Sequence, residues 1–422
     1  MTPEVKERIE QIRHGNVPDG YKKTRKGTIP DQWQVRQIRD VATISSGSTP
    51  NRENPQYWGG DIPWVTTGEL ESGTVTSTRE MISKKALEET SLKIYPAGTL
   101  LMAMYGQGKT RGTTAMLGID ATINQACAAI TVEQGSKEYL FYLLQSAYAD
   151  IRKLSNTGNQ ENLNAEIIRT FPVIYAPIDE QQQIADILSE QDKYIELKEN
   201  LLAEKQRQKK YLMQQLLTGK KRLPGFDGEW RNVKLNEVLV ERKEKNATQD
   251  HRICSVAVQK GVVDQIEHLG RSYAAADTSN YGVAHYGDII YTKSPTGDFP
   301  YGIIKQSQMT EEVAVSPLYG IYEPVCYEMG YLLHTYFSYA TNCSNYLLPI
   351  IQKGAKNTIN ITNDVFVSNK LYLPMEQGEQ KALAEIFITA DNEIDLLHQS
   401  IEQEKQKKKA LMQLLLTGIV RV

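Results

Sequence analysis

The chain has 422 residues, with 48 Lys and Arg against 51 Asp and Glu and a formal net charge of −3. This length exceeds one ordinary hydrophobic core, so two or three domains are expected. Hydrophobic residues make up 40% of the chain and charged residues 23%, as in soluble globular proteins, and no apolar run approaches a membrane span. The four cysteines form no close pair, which argues against a disulfide framework or a zinc site. We therefore expect a cytoplasmic protein without membrane contact.

Residues 1–28 begin the chain and are predicted to form a short helix followed by a polar lead. The first globular segment, 29–176, starts with a hydrophobic-Pro entry that leads to Trp33. Alternating and β-branched runs predict its strands, and a longer apolar pattern predicts one helix. The strands are predicted at 62–66, 99–105 and 128–132, and the helix at 137–154.

Residues 177–222 are predicted to form a long helix, the central spacer helix, and residues 376–422 form a C-terminal spacer helix. A second globular segment, 223–375, lies between them and again starts with a Pro-containing entry, followed by Trp230. Its strands are predicted at 252–258, 288–292, 302–305 and 318–322, and its helix at 330–339. Helices and strands without regular alternation indicate an α+β fold.

An internal repeat links the two long helices. Residues 180–219 align with 379–418 without a gap, at a shift of 199 positions, and both copies begin Glu-Gln and end Leu-Leu-Thr-Gly. Apolar residues at alternating steps of four and three predict a coiled-coil seam. In the second copy the seam consists of Leu383, Phe387, Ala390, Ile394, Leu397 and Ile401. We expect the two helices to pack on each other.

Basic residues cluster near the end of each copy. Such runs are usually solvated helix faces, and contact with phosphates is the alternative. The first run consists of Lys205, Arg207, Lys209, Lys210, Lys220, Lys221 and Arg222, and the second of Lys405, Lys407, Lys408 and Lys409.

The search for catalytic motifs gives only partial matches. The glycine-rich stretch 106–112 follows a predicted strand, but Ala103 stands where a P-loop requires its first glycine. Residues 54–57 approach the Asn-Pro-Pro-Tyr tetrapeptide of amino-methyltransferases, with Gln56 in place of the second proline. The six histidines show no metal-ligand spacing. We therefore predict no catalytic, cofactor-binding or metal-binding residue.

The whole chain resembles the specificity subunit of a Type I restriction–modification enzyme. The resemblance rests on the order and duplication of its motifs rather than on any single one. These motifs are Glu-Gln at 180–181 and 379–380 with Leu-Leu-Thr-Gly at both helix ends, the entries Trp33 and Trp230, Gly-Ser-Thr-Pro at 47–50, Ile-Pro-Trp-Val at 62–65 and Ile-Asn-Gln-Ala at 123–126.

The resemblance implies two target-recognition domains, 29–176 and 223–375, each reading half of a split double-stranded DNA site. It implies that the two helices form an antiparallel coiled coil as a spacer, with pseudo-twofold symmetry. The implied partners are two modification subunits, which carry S-adenosylmethionine and methylate adenine, and restriction subunits that use ATP and Mg²⁺. The chain itself would hold no cofactor and perform no catalysis.

The polar loops of both globular segments are the predicted sites of base contact. Arg and Lys suit guanine, Asn and Gln suit adenine, and hydroxyl groups suit either base, although ordinary turn residues are of the same types. The candidates are Arg52, Tyr57, Gln107, Lys109, Arg111 and Asn159 in the first segment and Lys293, Ser294, Thr296, Tyr301, Lys356 and Asn357 in the second.

Two other functions are weighed against this one. A stand-alone DNA methyltransferase with its own recognition domain is disfavoured because no acidic-rimmed glycine loop accompanies an intact Pro-Pro tetrapeptide. A coiled-coil scaffold that does not bind DNA is disfavoured by the polar loops of both segments.

Overall fold

The structure is a computed structural model, which describes residues 2–106, 108–154, 162–353 and 359–422. It contains two compact units, one formed by Met1–Glu199 with Ser400–Val422 and the other by Asn200–Gln399. Each unit thus contains one globular segment together with parts of both long helices. The five-part division drawn along the chain stays a prediction. Among the described residues, none of the helices combines the length and apolar character that a bilayer span requires.

The first unit begins with helix α1 (Pro3–Arg13), which is capped by the hydroxyl of Thr2. A hairpin of β1 (Tyr21–Thr24) and β2 (Gly27–Pro30) follows. This hairpin lies where the sequence predicted only a polar lead. Strand β1, Tyr-Lys-Lys-Thr, has no apolar-polar alternation, so periodicity gave no signal.

The first globule follows in the order of the sequence. Its predicted helix at 137–154 is in fact two helices, because the helix is interrupted at Ala147. The elements are β3 (Gln34–Gln37), β4 (Ala42–Ser46), β5 (Trp58–Val65), β6 (Thr74–Val75), β7 (Glu80–Ile82), α2 (Lys84–Glu89), β8 (Leu100–Ala103), β9 (Thr114–Leu117), β10 (Thr122–Ile123), β11 (Cys127–Val132), α3 (Lys137–Ser146), α4 (Tyr148–Lys153), α5 (Ala165–Thr170) and β12 (Pro172–Tyr175).

Long helix α6 (Ile178–Leu216) leads to the second globule, and the chain ends with long helix α11 (Gln377–Leu415). The intervening elements are β13 (Trp230–Lys234), β14 (Leu239–Glu241), β15 (Arg252–Ala257), β16 (Gly261–Asp264), α7 (Gln265–Leu269), β17 (Gly282–Ala284), β18 (Ile289–Tyr291), β19 (Ile304–Gln306), β20 (Val313–Val315), β21 (Gly320–Pro324), α8 (Tyr327–Phe337), α9 (Ala340–Leu347), β22 (Gln352–Lys353), β23 (Ile359–Asn360), α10 (Asn363–Phe366) and β24 (Lys370–Pro374).

One sheet in each globule has four strands in an equivalent order. The first contains a sheet in the order β4-β11-β8-β9-β6, and the second contains one in the order β14-β21-β18-β19. In each globule the entry strand pairs antiparallel with the last strand before the long helix, β3 with β12 and β13 with β24. The predicted α+β class is confirmed, and the duplication extends into the globules.

The long helices pack antiparallel in both units, as predicted. In the first unit, Gln191 Nε2 donates to Glu404 Oε2 at 2.9 Å and Lys198 Nζ donates to Ser400 Oγ at 2.6 Å. Residue numbers therefore rise along α6 as they fall along α11, which is the antiparallel arrangement. In the second unit, Lys205 Nζ lies 2.7 Å from Glu393 Oε2. The predicted seam lies along this contact, with Phe387 fully buried.

Several lysines of the predicted basic runs form ion pairs between the two helices. Lys205 and Lys209 pair with Glu393 and Asp391 in the second unit. Lys405 and Lys408 pair with Glu199 and Asp192 in the first. Lys205, Lys209 and Lys408 are half-buried in these pairs, whereas Lys405 stays exposed, as expected for a solvated helix face.

The Glu-Gln start of each long helix forms a buried polar contact, which we call the Glu clamp. In the first unit, Trp33 Nε1 donates to Glu180 Oε2 at 3.3 Å, and Arg421 Nε donates to the same oxygen at 2.6 Å. In the second unit, Trp230 Nε1 and Arg222 Nη2 both donate to Glu379 Oε2, at 2.8 and 2.7 Å. The entry tryptophan, one helix start and the tail of the other helix thus meet at one carboxylate. Arg222 and Arg421 are 199 positions apart, like the two glutamates.

A second duplicated contact, the Asp joint, connects each globule to both helices. In the first unit, Tyr142 Oη donates to Asp192 Oδ2 at 2.8 Å, and Lys408 Nζ lies 2.6 Å from Asp192 Oδ1. In the second, Tyr331 Oη donates to Asp391 Oδ2 at 2.8 Å beside Lys209. Burial raises the pKa of both tyrosines, so they act as hydrogen-bond donors at neutral pH.

The Leu-Leu-Thr-Gly endings stop both helices in the same way. Gly219 and Gly418 have φ values of +70° and +72°, in the left-handed region where side chains are strained. A Cβ on Gly418 would also lie 2.5 Å from Pro30 Cδ, and one on Gly219 would lie 2.9 Å from a ring carbon of Tyr372. Each position therefore requires glycine for two reasons, the left-handed backbone conformation and the close packing against the globule.

Candidate nucleic-acid interface

The two globules present equivalent loops. In the first, β8 pairs antiparallel with β9, and in the second β18 pairs antiparallel with β19. These pairs occupy matching positions in the two sheets. Their connections, 104–113 and 292–303, carry seven of the predicted base-contacting residues. Sequence alone did not align these two loops, because their lengths and compositions differ.

Loop 104–113 rests on helix α4 through its backbone. Tyr148 Oη donates to the Lys109 carbonyl at 2.6 Å, and Arg152 Nη1 donates to the Arg111 carbonyl at 2.8 Å. The Lys109 side chain is exposed, whereas Arg111 is only 7% exposed. The loop therefore presents Lys109 to solvent, and the burial of Arg111 favours a role in shaping the loop. Its base contact remains a prediction.

The glycines of this loop belong to a hairpin connection. Gly106, Gly108 and Gly112 all have positive φ, and the next element is strand β9. A phosphate-binding glycine loop instead leads into a helix, whose N-terminal amides bind the anion. This geometry agrees with the incomplete P-loop match in the sequence.

We expect Tyr148→Phe to loosen loop 104–113 without disturbing the globule. The substitution removes the hydroxyl, which donates to the Lys109 carbonyl and accepts from Arg152 Nη1 at 3.0 Å, and keeps the ring that lies beside Arg152. Each lost hydrogen bond is worth about 0.5–1.5 kcal/mol. Hydrogen exchange of peptides covering the loop should accelerate, and peptides from α3 should not change. Tyr105→Phe, on an exposed ring of the same loop, is the control. Equal exchange in both variants would contradict the role of Tyr148.

Loop 292–303 presents its predicted residues unequally. Ser294 and Thr296 are exposed, while Lys293 and Tyr301 are half-buried. Lys293 adopts a φ of +60°, and burial lowers the pKa of its ammonium group. Thr296 and Phe299 exchange backbone hydrogen bonds at 3.0 and 2.9 Å, and the Phe299 ring is buried. The phenyl ring thus anchors a loop whose tip is polar.

Arg52 and Tyr57 lie outside these loops, in the insertion between β4 and β8. Arg52 Nη2 donates to Glu80 Oε2 at 2.9 Å, and its guanidinium lies 3.9 Å from the Trp58 ring centroid. The hydrogen-bonded ion pair between them raises the pKa of Arg52 and lowers the pKa of Glu80. Tyr57 Oη donates to Glu89 Oε2 at 3.0 Å. Both candidates therefore have partners within the protein, and a base contact would have to replace them.

Four predicted residues lie outside the described part of the chain: Gln107, Asn159, Lys356 and Asn357. Residues near them show which segments meet. The amide of Leu163 donates to the Met104 carbonyl at 2.9 Å, so the segment that leads into α5 contacts the start of loop 104–113. In the second globule, Phe299 and Ile361 belong to one apolar cluster.

The residues that hold these loops and globules include several that no sequence motif indicates. Tyr148 and Arg152 support loop 104–113, and Tyr142 and Tyr331 form the Asp joints. No sequence motif marks the tyrosines. Asp192 and Asp391, in contrast, are 199 positions apart, as are Lys209 and Lys408, so the repeat alignment contains that half of each joint.

Comparisons with known proteins agree with this duplicated architecture. Residues 30–206 match the family model of the Type I restriction modification DNA specificity domain. The MjaIX specificity subunit of Methanocaldococcus jannaschii is 33% identical over 193 residues, which cover 44% of each chain, so the match spans less than half of that relative. The MjaVIII specificity subunit of the same organism is 24% identical over 93% of this chain and 94% of its own.

Solved structures show the same fold. The S subunit of a Type I restriction–modification system from M. genitalium superposes with a TM-score of 0.59 at 13% identity, over 91% of this chain and 96% of that one. A chain from a structural study of complex assembly and conformational transition of the type I R-M system gives 0.54 at 14% identity, over 93% and 99%. The fold is thus that of the S subunit. Residues 30–206 match the family model of the specificity domain, as the sequence motifs predicted, and the chain is similar to a specificity subunit over 93% of its length.

Proposed function

We propose that this chain is the DNA-reading subunit of a Type I restriction–modification complex, with each globule reading one half of a split double-stranded site. The observation that carries the proposal is that loops 104–113 and 292–303 are equivalent in position. They occupy matching places in two similar sheets, yet their sequences differ. A shared position suits the same task, and different side chains suit different base sequences.

The long helices supply the spacing between the two half-sites. Each has 39 residues, which at ~1.5 Å per residue gives about 58 Å. Half-sites on one face of DNA are ~34–36 Å apart for one helical turn. The helices are therefore long enough to separate two recognition domains by such a distance. Base pairs between the half-sites are left unread.

Partner subunits supply the chemistry in this proposal. Two modification subunits bring S-adenosylmethionine and methylate adenine, and restriction subunits bring ATP and Mg²⁺. The net charge of −3 supports this division, because a chain that neutralised many phosphates alone would be basic. We assign no catalytic step to the chain itself.

Binding assays with the purified chain and its modification subunits test the proposal. The complex should prefer duplexes that carry the methylated genomic sequence over random duplexes of equal length. Its affinity should fall steeply as salt increases, because phosphate contacts release counterions. Salt-independent or absent DNA binding would favour a scaffold function. Stoichiometric binding of radiolabelled S-adenosylmethionine by the chain alone would favour a stand-alone methyltransferase.

A further inference from the structure

Strand pairing in the second globule brings histidines and glutamates together at one edge. His251 directly precedes β15 and Glu312 directly precedes β20, and these parallel strands pair Arg252 with Val313. His285 directly follows β17, which runs antiparallel to β20 and pairs Ala284 with Val313. Glu244 joins them through the bridge between Lys245 and Gly282. The four residues span almost 70 positions in sequence, so no motif spacing revealed them.

The side chains lie at ligand-like distances. One donor atom each from Glu244, His285 and Glu312 lies within 4.8 Å of the other two. His285 Nε2 is 2.8 Å from Glu244 Oε2, and His285 Nδ1 is 3.7 Å from Glu312 Oε1. His251 Nε2 lies 3.4 Å from the second oxygen of Glu312. Two carboxylates and two imidazoles therefore face one another.

A buried asparagine orients the His251 ring. Asn246 is fully buried, and its Nδ2 donates to Thr278 Oγ1 at 3.2 Å, which fixes the orientation of the amide. Asn246 Oδ1 therefore accepts from His251 Nδ1, at 2.9 Å. In a neutral imidazole only one nitrogen carries hydrogen. The Nε2 lone pair of His251 then points at the carboxylate of Glu312.

His285 meets Glu312 in the same way. Its Nε2 donates to Glu244 at 2.8 Å, so the Nδ1 of a neutral ring also presents a lone pair to Glu312. The carboxylate thus faces two acceptors, a repulsive arrangement that a cation between them would reverse. Within the described chain, the ion pairs of Glu244 and Glu312 are with these histidines. The nearby Arg242 instead binds Asp288 and Glu323.

We propose that His251, His285 and Glu312 bind a divalent transition-metal ion. Two imidazole nitrogens and a carboxylate suit Zn²⁺ or Co²⁺ better than Mg²⁺, which prefers oxygen ligands alone. Asn246 and Glu244 accept hydrogen bonds from the other nitrogens of His251 and His285, and such bonds orient metal-binding histidines. The ion would tie together the ends of strands β15, β17 and β20. Metal binding at this place does not depend on DNA reading.

Cobalt titration of the purified full-length chain tests the site, after EDTA treatment and dialysis at pH 7.5. We expect one equivalent of Co²⁺ per chain, with the visible absorption of four-coordinate cobalt, and displacement by Zn²⁺. His285→Gln and the near-isosteric Glu312→Gln should each weaken binding at least tenfold. His398→Gln, which changes an exposed histidine on α11, should bind like the parent. Circular dichroism confirms that each variant is folded.

Two outcomes would overturn the proposal. The first is unchanged Co²⁺ binding in folded His285→Gln or Glu312→Gln, which would place the ion elsewhere. The second is the absence of binding in the parent. Neither outcome bears on the DNA-binding assay, so failure here and failure of the proposed function are distinguishable.

Discussion

Phe387→Ala should lower the free energy of unfolding of the second unit by about 3–5 kcal/mol, because it leaves a cavity in a fully buried seam position. The Phe387 ring is 0% exposed. It packs in one cluster with Trp230, Leu383 and residues from the end of α6 and from α8. The substitution removes apolar contacts of the ring, so the loss of stability comes from packing.

Hydrogen exchange measured peptide by peptide is the appropriate assay, since the two units need not unfold together. Peptides from α8 should lose protection, while peptides from α3 in the first unit serve as an internal reference. Leu396→Ala is the matched control on the same helix, because its side chain is 64% exposed. It should change stability by less than about 0.5 kcal/mol. Equal effects of the two substitutions would contradict the packing of the seam.

Inserting four residues into both long helices should lengthen the preferred gap between half-sites by one or two base pairs. The insertions belong between residues 199 and 200 and between 399 and 400, where the compact units divide. Four residues add ~6 Å and rotate the helix by about 40° beyond one full turn. One base pair of B-DNA adds ~3.4 Å and about 35°, so length and rotation change together in the same sense. Coiled coils tolerate a four-residue insertion by local unwinding.

A two-residue insertion at the same places is the contrasting variant. It adds about 200° of rotation at each insertion, which breaks the three-four spacing of the apolar seam there. This variant should lose DNA binding instead of changing the gap. Methylation mapping in cells that supply the modification subunit measures both. A four-residue variant that keeps the parental gap would contradict the spacer function.

The repeat made the helical part of the fold predictable. A gap-free alignment with a three-four apolar pattern specifies two similar amphipathic helices, and such helices bury their seams most simply against each other. The Glu-Gln starts and Leu-Leu-Thr-Gly ends were visible as repeated motifs. Their purpose was not visible, because Trp33, Glu180 and Arg421 meet only in three dimensions.

The loops were less predictable than the helices. Residue type pointed to Arg52 and Arg111, yet one forms a fork with Glu80 and the other is buried. A single sequence contains no signal that separates an arginine bound within the protein from one that faces solvent. The strands that align 104–113 with 292–303 are short, and their pairing depends on contacts distant in sequence. The β1–β2 hairpin was not predicted because strand β1 has no apolar-polar alternation.

The most direct test of DNA reading is to replace residues 29–176 with the corresponding segment of another family member and to map methylated adenines in cells that supply the modification subunit. We expect one half-site to change to that of the donor protein. The other half-site and the gap should stay as in the parent, because the second globule and both long helices are retained. A change in both half-sites, or a site identical to that of the parent, would contradict the assignment of one half-site to each globule.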